Sequence, residues 1–430
     1  MSKIKRMSFV GELQWRGMIH DIMPGTEEQL GKEMTTAYVG FDPTADSLHI
    51  GHLVSIMILK HLQAAGHKPI ALVGGATGMV GDPSGKSEER KFLTEETLQH
   101  NLVGIKKQLA SFLDFDCGEN SAEIVNNYDW FKDFSLLGFL RDAGKHLTVN
   151  YMMSKDSVKK RLETGISFTE FSYQLIQGYD FYHLNKEKNC KLQMGGSDQW
   201  GNITTGTEFI RRLGGGEAYA LTCPLLTKSD GSKFGKSEGG NIWLDPEKTS
   251  PYKFYQFWLN QTDEDALKSI KIFTMKTEDQ INTLATQHAE APHTRVLQNA
   301  LADDIMVTVH SKDALDNAKA AAQILFGKTN EDNVRELSKD ALESIGQEVP
   351  KHQISKSILS KEIGIIDLLS EYTPIFGSKG EARRALKNNA VAVNKTKVQD
   401  SKTISFADVI QENYILVQNG KKNYHLINLI

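Results

Sequence analysis

Cysteine is scarce in this chain, and its three copies form no motif. Cys117, Cys190 and Cys223 are far apart among the 430 residues, and no Cys-x-x-Cys pair or Cys/His cluster occurs. A disulfide framework and a structural zinc site both depend on such spacings. The sequence therefore predicts a protein of a reducing compartment, without disulfides and without a bound metal.

Long apolar runs are also missing. No stretch approaches the roughly eighteen consecutive apolar residues that a membrane-spanning helix needs. Lys3, Lys5 and Arg6 open the chain, but Glu12 and Asp21 come early and no apolar segment of the signal-peptide type follows. We therefore expect a cytoplasmic protein with neither a signal peptide nor a membrane span.

The chain lacks a large excess of either charge, although residues 351–430 are more basic than the rest. The formal net charge is −4. Residues 351–430 carry 12 Lys and Arg against 7 Asp and Glu, whereas the other residues carry 38 against 47. A basic tail behind an acidic body indicates a polyanionic partner for the tail. The length suggests roughly two to four domains.

A strand–helix–strand pattern organises the first part of the chain. Residues 36–41 are rich in β-branched and aromatic types and predict a buried strand. Asp42-Pro43 ends it, residues 52–65 predict a buried helix, and residues 69–73 predict a second strand. This is a βαβ unit, so we expect an α/β fold with a parallel sheet.

The turn between this strand and helix carries the tetrapeptide His49-Ile50-Gly51-His52. A helix N-terminus attracts anions through its free N–H groups and its dipole, and two imidazoles would add to that. Gly51 leaves room for a flat ring or a backbone. A His-x-x-His pair alone could be a metal pair or merely structural, but its position between strand and helix favours a phosphate site.

A glycine-rich loop at residues 74–87 follows the second strand. It ends in Gly85-Lys86-Ser87, like a P-loop, but a P-loop needs glycine at position 80, where the chain has Val80. We therefore interpret the segment as a flexible loop. Its Asp82 and Lys86 would face the crevice beyond the strand ends, where ligands bind in such sheets.

Residues 169–181 predict a largely buried helix with a polar stripe. Tyr173, Gln177 and Asp180 are spaced by four and three residues, so they share one face. The stripe could be solvated. Alternatively, it is a pocket wall that offers a phenol, an amide and a carboxylate, because buried polar groups need partners.

A second strand–turn–helix unit follows at residues 191–213. Its turn contains Gly196 and Asp198, and a carboxylate at a glycine turn suits the hydroxyls of a ribose. A strand at 218–226 leads to residues 227–240, a polar loop with four glycines and three lysines. This loop could be a solvated hairpin or a mobile cationic segment beside the crevice.

The remaining residues predict helices and a small terminal domain. Residues 250–344 show one helical pattern after another. Residues 378–381 predict a capping box that opens a basic helix, and residues 390–394 predict a strand. Asn419-Gly420 predicts a type I′ turn in a final hairpin. The basic helix could be merely solvated or could contact RNA phosphates.

Several segments carry a family resemblance. Residues 38–53 resemble the nucleotide-binding signature of class I aminoacyl-tRNA synthetases, and as a whole they look like the bacterial tyrosyl-tRNA synthetases. Residues 233–237, with the sequence KFGKS, are similar to the second signature of that class, KMSKS, with two departures. Residues 381–384 and 391–394 resemble an S4 RNA-binding domain.

The resemblance implies a fold in three parts. A Rossmann-like, parallel-sheet catalytic domain would span residues 1–248, and an all-α domain that binds the tRNA anticodon would span residues 249–345. A linker at 346–357 would lead to a small α+β S4-like RNA-binding domain at 358–430. The chain would form a homodimer through a region at 139–162.

The resemblance also implies a reaction. The enzyme would activate L-tyrosine with MgATP to tyrosyl-adenylate, release pyrophosphate, and transfer tyrosine to the 3′ end of tRNA(Tyr), without a tightly bound cofactor. The implied residues are Thr44, His49, His52, Lys233 and Lys236 for the phosphates; Tyr38, Asp82, Tyr173, Gln177, Asp180 and Gln199 for tyrosine; Gly51, Gly196, Asp198 and Ser237, with both lysines, for ATP; and Arg383, Arg384 and Lys387 for tRNA.

Two alternatives remain open. Another small class I synthetase, such as the tryptophanyl type, would share the signatures, although Tyr38 and Asp180 favour a phenol because an indole N–H cannot accept a hydrogen bond. An RNA-binding or RNA-splicing protein on a synthetase scaffold would have lost catalysis. That hypothesis predicts that the histidine signature or the lysine loop has lost its charged residues, but both motifs retain them.

Overall fold

The structure is a computed structural model that describes residues 8–84, 93–232, 234–237, 240–327, 329–421 and 423–430. The chain divides into two compact units. Unit 1 comprises residues 1–245 and 261–301, and unit 2 comprises residues 246–260 and 302–430. None of the helices in the described ranges is long and apolar enough to cross a membrane.

Unit 1 is built on a parallel sheet, which confirms the predicted fold class. In the described residues the sheet has six strands in the order β1-β6-β5-β2-β3-β4, and all neighbours are parallel except β1 and β6. The bounds are β1 (Asp21–Ile22), β2 (Thr36–Phe41), β3 (Lys68–Val73), β4 (Glu123–Asn126), β5 (Cys190–Gly196) and β6 (Tyr219–Cys223). The short pair β7 (Lys236–Ser237) and β8 (Gly240–Asn241) is separate.

The order of the strands reverses beside β2. β3 lies on one side of β2 and β5 on the other, where Val39 is level with Met194. At such a switch point a crevice opens beyond the carboxyl ends of the strands, because the connections leave on opposite faces. The turns after β2 and β5 therefore meet in one place.

Helix α3 (Ile50–Ala64) follows β2 and starts two residues before the predicted helix. His49 is its N-cap. The helix packs on β3 and also contacts α1 (Phe9–Trp15) and α13 (Asp263–Phe273). It is apolar on most sides because it has neighbours on most sides, and its side chains are buried over nearly its whole length.

The remaining helices of unit 1 include a tightly packed pair. α10 (Phe168–Lys188) extends the predicted helix, and α11 (Trp200–Arg212) matches the second one. A Cβ at Gly178 or Gly206 would lie 2.8 Å from a phenylalanine of the other helix, so glycine permits the close approach. The others are α2 (Thr26–Lys32), α4 (Thr77–Val80), α5 (Glu95–Leu109), α6 (Tyr128–Phe131), α7 (Leu136–Asp142), α8 (Val149–Met153), α9 (Asp156–Thr164) and α14 (Glu278–Glu290); α15 (Val296–Val309) has residues in both units.

Unit 2 combines helices with a second sheet. The sheet order is β12-β11-β14-β15-β9. The helices are α12 (Pro251–Leu259), α16 (Lys312–Phe326), α17 (Glu331–Arg335), α18 (Lys339–Glu348), α19 (Ile365–Asp367) and α20 (Lys379–Lys387); the strands are β9 (Lys351–Ile354), β11 (Val391–Val393), β12 (Thr396–Lys397), β14 (Tyr414–Asn419) and β15 (Asn423–Leu429), with a separate pair β10 (Ile363–Gly364) and β13 (Thr403–Ile404).

Both faces of this second sheet are buried. Ile415 and Ile427 belong to an apolar cluster that includes Leu386 of α20. Leu416 and Leu426, on the opposite face, belong to a cluster with buried residues of α16 and α18. Successive strand residues point to opposite faces, so this sheet joins the terminal segment to the helices that precede it.

The boundaries of the two units differ from the predicted ones. The predicted helical domain at 249–345 is divided, because residues 261–301 cluster with the parallel sheet. The predicted linker at 346–357 contains β9, which pairs parallel with β15. A four-residue strand has too short a pattern to be recognised before its partner strand is known.

Two local predictions in the terminal segment are wrong. Asn419 pairs with Asn423, so Asn419 belongs to strand β14 and is not a central residue of a two-residue type I′ turn. The Ser378 hydroxyl accepts from the Glu381 N–H as a capping box requires, but the Glu381 carboxylate accepts from the N–H of Gly377. The basic helix itself is confirmed as α20.

Candidate active site

A cavity of about 600 Å³ lies in unit 1 at the switch point, beyond the carboxyl ends of β2 and β5. Most of the predicted site residues line it, although they come from four separate parts of the sequence. The predicted residues that it brings together are Tyr38, Thr44, His49, Gly51, His52, Asp82, Tyr173, Gln177, Asp180, Gly196, Asp198 and Gln199.

The two signature histidines cap α3 reciprocally. His49 Nδ1 accepts the N–H of Gly51 at 3.1 Å, and His52 Nδ1 accepts the N–H of His49 at 3.1 Å. The ring centroids are 4.0 Å apart. A neutral imidazole donates from one nitrogen and accepts at the other, so each neutral ring carries its proton on Nε2.

The turn that carries His49 and His52 is also hydrogen-bonded to residues 242–244, which follow the lysine loop at 227–240. The N–H of Ile50 donates to the carbonyl of Ile242 at 3.0 Å, and the N–H of Leu244 donates to Leu48 at 2.9 Å. Gly235 has a φ of 89°, and a Cβ there would lie 3.1 Å from Ile50. Glycine at this position therefore allows the loop to reach the turn.

A chain of hydrogen bonds links the polar side chains of the cavity. The Tyr173 hydroxyl donates to Asp42 at 2.8 Å, and the Thr77 hydroxyl donates to the other Asp42 oxygen at 2.7 Å. The Asn127 amide donates to Thr77 at 3.1 Å and to Asp180 at 3.0 Å. Five side chains, from α10 and from the segments that follow β2, β3 and β4, thereby hold one another in place.

Asp180 and Tyr38 form the deepest part of the cavity. Both are 1% exposed, and the Trp130 Nε1–H donates to Asp180 at 2.9 Å. Burial raises the pKa of the Asp180 carboxyl well above its ordinary value, while the bonds from Asn127 and Trp130 oppose that rise. Burial also raises the pKa of the Tyr38 phenol, and the Tyr38 hydroxyl has no hydrogen-bond partner in the described residues.

A second polar group surrounds Asp82. One Asp82 oxygen accepts from the Gln199 amide at 2.7 Å, and the other accepts from the N–H of Ser84 at 2.9 Å. Asn202 lies behind them and donates to Asp82 and to Gln199 at 3.4 and 3.3 Å. These contacts fix the amide of Gln199 with its nitrogen towards Asp82.

The glycine turn after β5 lies on the other side of the cavity. Burial raises the pKa of the Asp198 carboxyl, and Asp82 adds to the rise. A Cβ at Gly196 would lie 2.6 Å from this carboxylate. The glycine therefore keeps the face of the turn open to the cavity.

Several predicted residues lie outside the cavity or outside the described residues. Lys233 and the segment Gly85-Lys86-Ser87 are not among the described residues, and the side chains of Lys236 and Ser237 are not described either. The backbone of Lys236 pairs with Asn241. Arg383, Arg384 and Lys387 are exposed on α20 in unit 2.

Four side chains of this polar network were missed by the sequence reasoning. Asp42, Thr77, Asn127 and Trp130 all belong to the hydrogen-bond chain around Asp180 and Tyr173. Three of them follow the carboxyl ends of β2, β3 and β4. A search of every parallel strand end for polar residues would have found them.

Comparison with known proteins identifies the family. Residues 30–327 match the family described as tRNA synthetases class I (W and Y), and residues 341–427 match the C-terminal domain of tyrosine–tRNA ligases. A tyrosine–tRNA ligase of Porphyromonas gingivalis is 61% identical over 98% of this chain and 99% of its own length. This chain belongs to the tyrosyl-tRNA synthetases.

Other relatives agree with this assignment. A tyrosine–tRNA ligase of Cytophaga hutchinsonii is also 61% identical over 98% of this chain and 99% of its own length. The crystal structure of a truncated mitochondrial tyrosyl-tRNA synthetase of Aspergillus nidulans superposes with a TM-score of 0.67 at 31% identity, covering 75% of this chain and 96% of that one.

The family membership gives the activity of the chain. It is a tyrosine–tRNA ligase, an aminoacyl-tRNA synthetase that uses ATP, tyrosine and tRNA as substrates. The tryptophanyl type and a catalytically inactive RNA-binding protein, the two alternatives from the sequence, are thereby set aside. The enzyme's fold is the Rossmann-like fold of class I.

Proposed function

We propose that the cavity binds tyrosine and MgATP side by side and forms tyrosyl-adenylate there. The observation that carries this proposal is the Tyr38 hydroxyl, buried beside Asp180 and without a partner in the described residues. A buried polar group without a partner costs about 1–3 kcal/mol. The phenolic hydroxyl of tyrosine would bond to Tyr38 and Asp180 together and remove that cost.

The other end of tyrosine would meet the polar group around Asp82. Asp82, Tyr173 and Gln177 would hold its ammonium group, which donates three hydrogen bonds. The Gln177 Oε1 is buried and has no partner among the described side chains, so it can accept one of them. Gln199, already bonded to Asp82, would lie near the tyrosine carboxylate.

ATP would lie over the histidine turn. The Nε2–H groups of His49 and His52 would donate to its phosphates, joined by Thr44, and the helix dipole at the start of α3 would favour their negative charge. Asp198 would accept from the ribose hydroxyls. Gly51 and Gly196 would lie flat against the nucleotide, since neither carries a side chain that would hold the nucleotide away from the backbone.

Catalysis would rest on position and charge. A tyrosine carboxylate oxygen attacks the α-phosphorus, the bond to the bridging oxygen of the β-phosphate breaks, and pyrophosphate leaves with the electron pair. No side-chain nucleophile is needed. Lys233, Lys236 and Ser237 would stabilise the charge that grows on pyrophosphate. In the second step a terminal hydroxyl of tRNA attacks the tyrosyl carbonyl and AMP leaves.

Unit 2 would supply the contacts to tRNA. Arg383, Arg384 and Lys387 lie exposed on α20, and basic side chains on an exposed helix attract phosphates. The predicted helical domain at 249–345, of which residues 261–301 belong to unit 1, would bind the anticodon, and the segment at 358–430 would act as the S4-like domain. No tightly bound cofactor is needed in this scheme, since ATP arrives with Mg²⁺ as a substrate.

The enzyme would work as a homodimer in the cytoplasm. The predicted interface region is 139–162; Val149 lies within it, and Leu136, Leu137 and Phe168 flank it. These four side chains are between 59% and 78% exposed, and exposed large apolar side chains close together in the chain support an interface there. The three cysteines are free thiols, which suits a reducing compartment.

Sedimentation tests the proposed interface. The wild type should be a dimer and Leu137→Glu a monomer, and a dimeric Leu137→Glu would contradict this interface.

Pyrophosphate exchange into ATP tests the proposed site. Exchange should depend on tyrosine and respond only weakly to phenylalanine, because phenylalanine leaves Tyr38 and Asp180 without their partner. Tryptophan should not support exchange, since the deep end of the cavity is built for a hydroxyl. Equal rates with phenylalanine or tryptophan would rule out the proposed roles of Tyr38 and Asp180.

A further inference from the structure

Helix α5 holds the turn that leads from β2 to the first signature histidine. Both ends of the Gln108 amide bind this turn: its Oε1 accepts the N–H of Leu48 at 2.8 Å, and its Nε2 donates to the Ser47 hydroxyl at 2.9 Å. Seven residues earlier on the same face of α5, the amide of Asn101 donates to the carbonyl of Pro43 at 2.9 Å. The turn is therefore held at both its start and its end.

Residues 242–244 hold the same turn through a second set of contacts. Their backbone bonds to Leu48 and Ile50 flank the pair formed by His49 and Trp243. In an antiparallel pair, this arrangement of flanking bonds marks the position where opposite side chains approach most closely. The two rings accordingly meet edge to face, with centroids 5.9 Å apart and planes at 68°, a geometry that aromatic rings prefer.

These contacts fix the direction of the His49 ring. Its Nδ1 accepts the N–H of Gly51, and the ring itself packs against the rings of His52 and Trp243. His49 belongs to the described lining of the cavity, whereas Trp243 and Gln108 do not belong to it. Trp243 and Gln108 therefore influence the cavity through the position of His49.

We propose that Trp243 and Gln108 are positioning residues that hold the His49 imidazole for the phosphates of ATP. The inference rests on the phosphate role proposed for His49. An imidazole that donates to a phosphate must keep its N–H at hydrogen-bond distance and angle, and a displacement of about 1 Å can lower a rate roughly a hundredfold. Trp243 packs against the ring, and Gln108 holds the backbone immediately before it.

Single-turnover kinetics of adenylate formation test this in the full-length enzyme. Trp243→Leu and Gln108→Leu should each lower the rate constant divided by the ATP dissociation constant about tenfold or more, while the tyrosine dissociation constant changes less than about threefold. Trp243→Phe keeps an aromatic ring and should recover most of the rate. Gln63→Leu is the matched control and should keep the wild-type rate, because both ends of the Gln63 amide bind the backbone of Asp114, outside the cavity lining.

A double-mutant cycle with His49→Asn separates positioning from a general effect on the fold. Asparagine is a good N-cap residue for α3 but lacks the imidazole. If Trp243 acts through His49, Trp243→Leu should add little to the slow rate of His49→Asn. An equal further loss in that background, a loss of tyrosine affinity that matches the loss of rate, or an equal loss in Gln63→Leu would overturn the inference.

Two further outcomes distinguish the inference from the proposed function. Wild-type rates for Trp243→Leu and Gln108→Leu, with His49→Asn slow, would overturn the inference and leave the phosphate role of His49 intact. A wild-type rate for His49→Asn would overturn that role and the inference with it.

Discussion

At the scale of single residues, the site contains polar groups that the folded chain leaves without partners. The hydroxyl of Tyr38 and the Oε1 of Gln177 are both buried and unpaired in the described residues. Folded proteins pair nearly all their buried polar atoms, so unpaired atoms that line a cavity mark where a ligand is to bind. The same atoms make the folded enzyme less stable than it would be without them.

Tyr38→Phe should show both effects. The kcat/KM for tyrosine in pyrophosphate exchange should fall about tenfold, because one hydrogen bond to the phenol is lost, and the preference for tyrosine over phenylalanine should fall with it. Thermal unfolding should show equal or greater stability. Tyr182→Phe, which removes a tyrosine hydroxyl of α10 outside the cavity lining, is the control and should keep its preference. An unchanged preference in Tyr38→Phe would contradict the proposed contact.

Another buried residue, His61, should make stability depend on pH. It is 4% exposed on α3, and burial, with Arg16 and Lys60 nearby, lowers its pKa to about 3. Unfolded histidine has a pKa of about 6.5. Between these values the unfolded chain binds a proton that the folded chain does not, so the free energy of unfolding falls as the pH drops below about 6.5.

His61→Leu should therefore reduce this dependence on pH. The wild type should lose up to about 1.4 kcal/mol of unfolding free energy per pH unit from this group between pH 6 and 4, and the variant should not. Urea unfolding at several pH values measures the slope. His293→Leu removes an imidazole from an exposed position and is the matched control. The same slope in His61→Leu and the wild type would refute the assignment.

At the scale of elements, one arginine joins the N-terminal helix to α13. The Arg16 side chain is almost fully buried, and its donors reach three carbonyls at the end of α13 and the Glu12 carboxylate. The last carbonyls of a helix have no partner within the helix. Arg16 satisfies them from a residue more than 250 positions away in the sequence.

Arg16→Met should lower the free energy of unfolding by about 2–4 kcal/mol, because it removes charge-assisted bonds and leaves buried carbonyls unsatisfied. Denaturant unfolding measures the change. Arg211→Met removes an exposed arginine whose partner is Glu208 and should change the free energy by less than about 1 kcal/mol. Equal effects in the two variants would show that Arg16 does not stabilise α13 in this way.

At the scale of the whole molecule, the chain is two compact units with separate cores. The cavity with its tyrosine and ATP contacts is in unit 1, whereas the basic helix α20 is in unit 2. Deleting residues 351–430 would not test this division cleanly. These residues cover apolar side chains of α16 and α18, so the deletion would expose a core.

Replacing Arg383, Arg384 and Lys387 with alanine together is the better test. The side chains are exposed, so the fold should be kept. Tyrosine-dependent pyrophosphate exchange should stay within about twofold of the wild type, while the KM for tRNA rises and depends less on salt, because phosphate contacts are lost. Lys32, Lys106 and Lys107 replaced together, all exposed in unit 1, are the control. An unchanged KM for tRNA, or loss of exchange, would contradict the proposed role of α20.

The sequence predicted the main strands and helices around the site, and most of the site residues named from it line the cavity. The pattern of residues 36–73 predicts a strand, a helix and a strand because apolar periodicity and turn residues act within a few positions. The spacing of Tyr173, Gln177 and Asp180 predicts a shared face because a helix has a fixed repeat. The resemblance added roles to these residues, and the roles stay predictions.

Only the tertiary structure decided which distant residues meet. Asp42, Thr77, Asn127 and Asp180 form one hydrogen-bonded chain because four elements from separate parts of the sequence converge at one edge of the sheet. Likewise, β9 is a strand only because β15 lies beside it, and the N–H of Ser229 donates to Asp265 of α13 although 36 positions separate the two residues. Local patterns arise from residues that are neighbours in the chain. These contacts instead arise from packing between segments far apart in the sequence, and no local pattern shows which of those segments will meet.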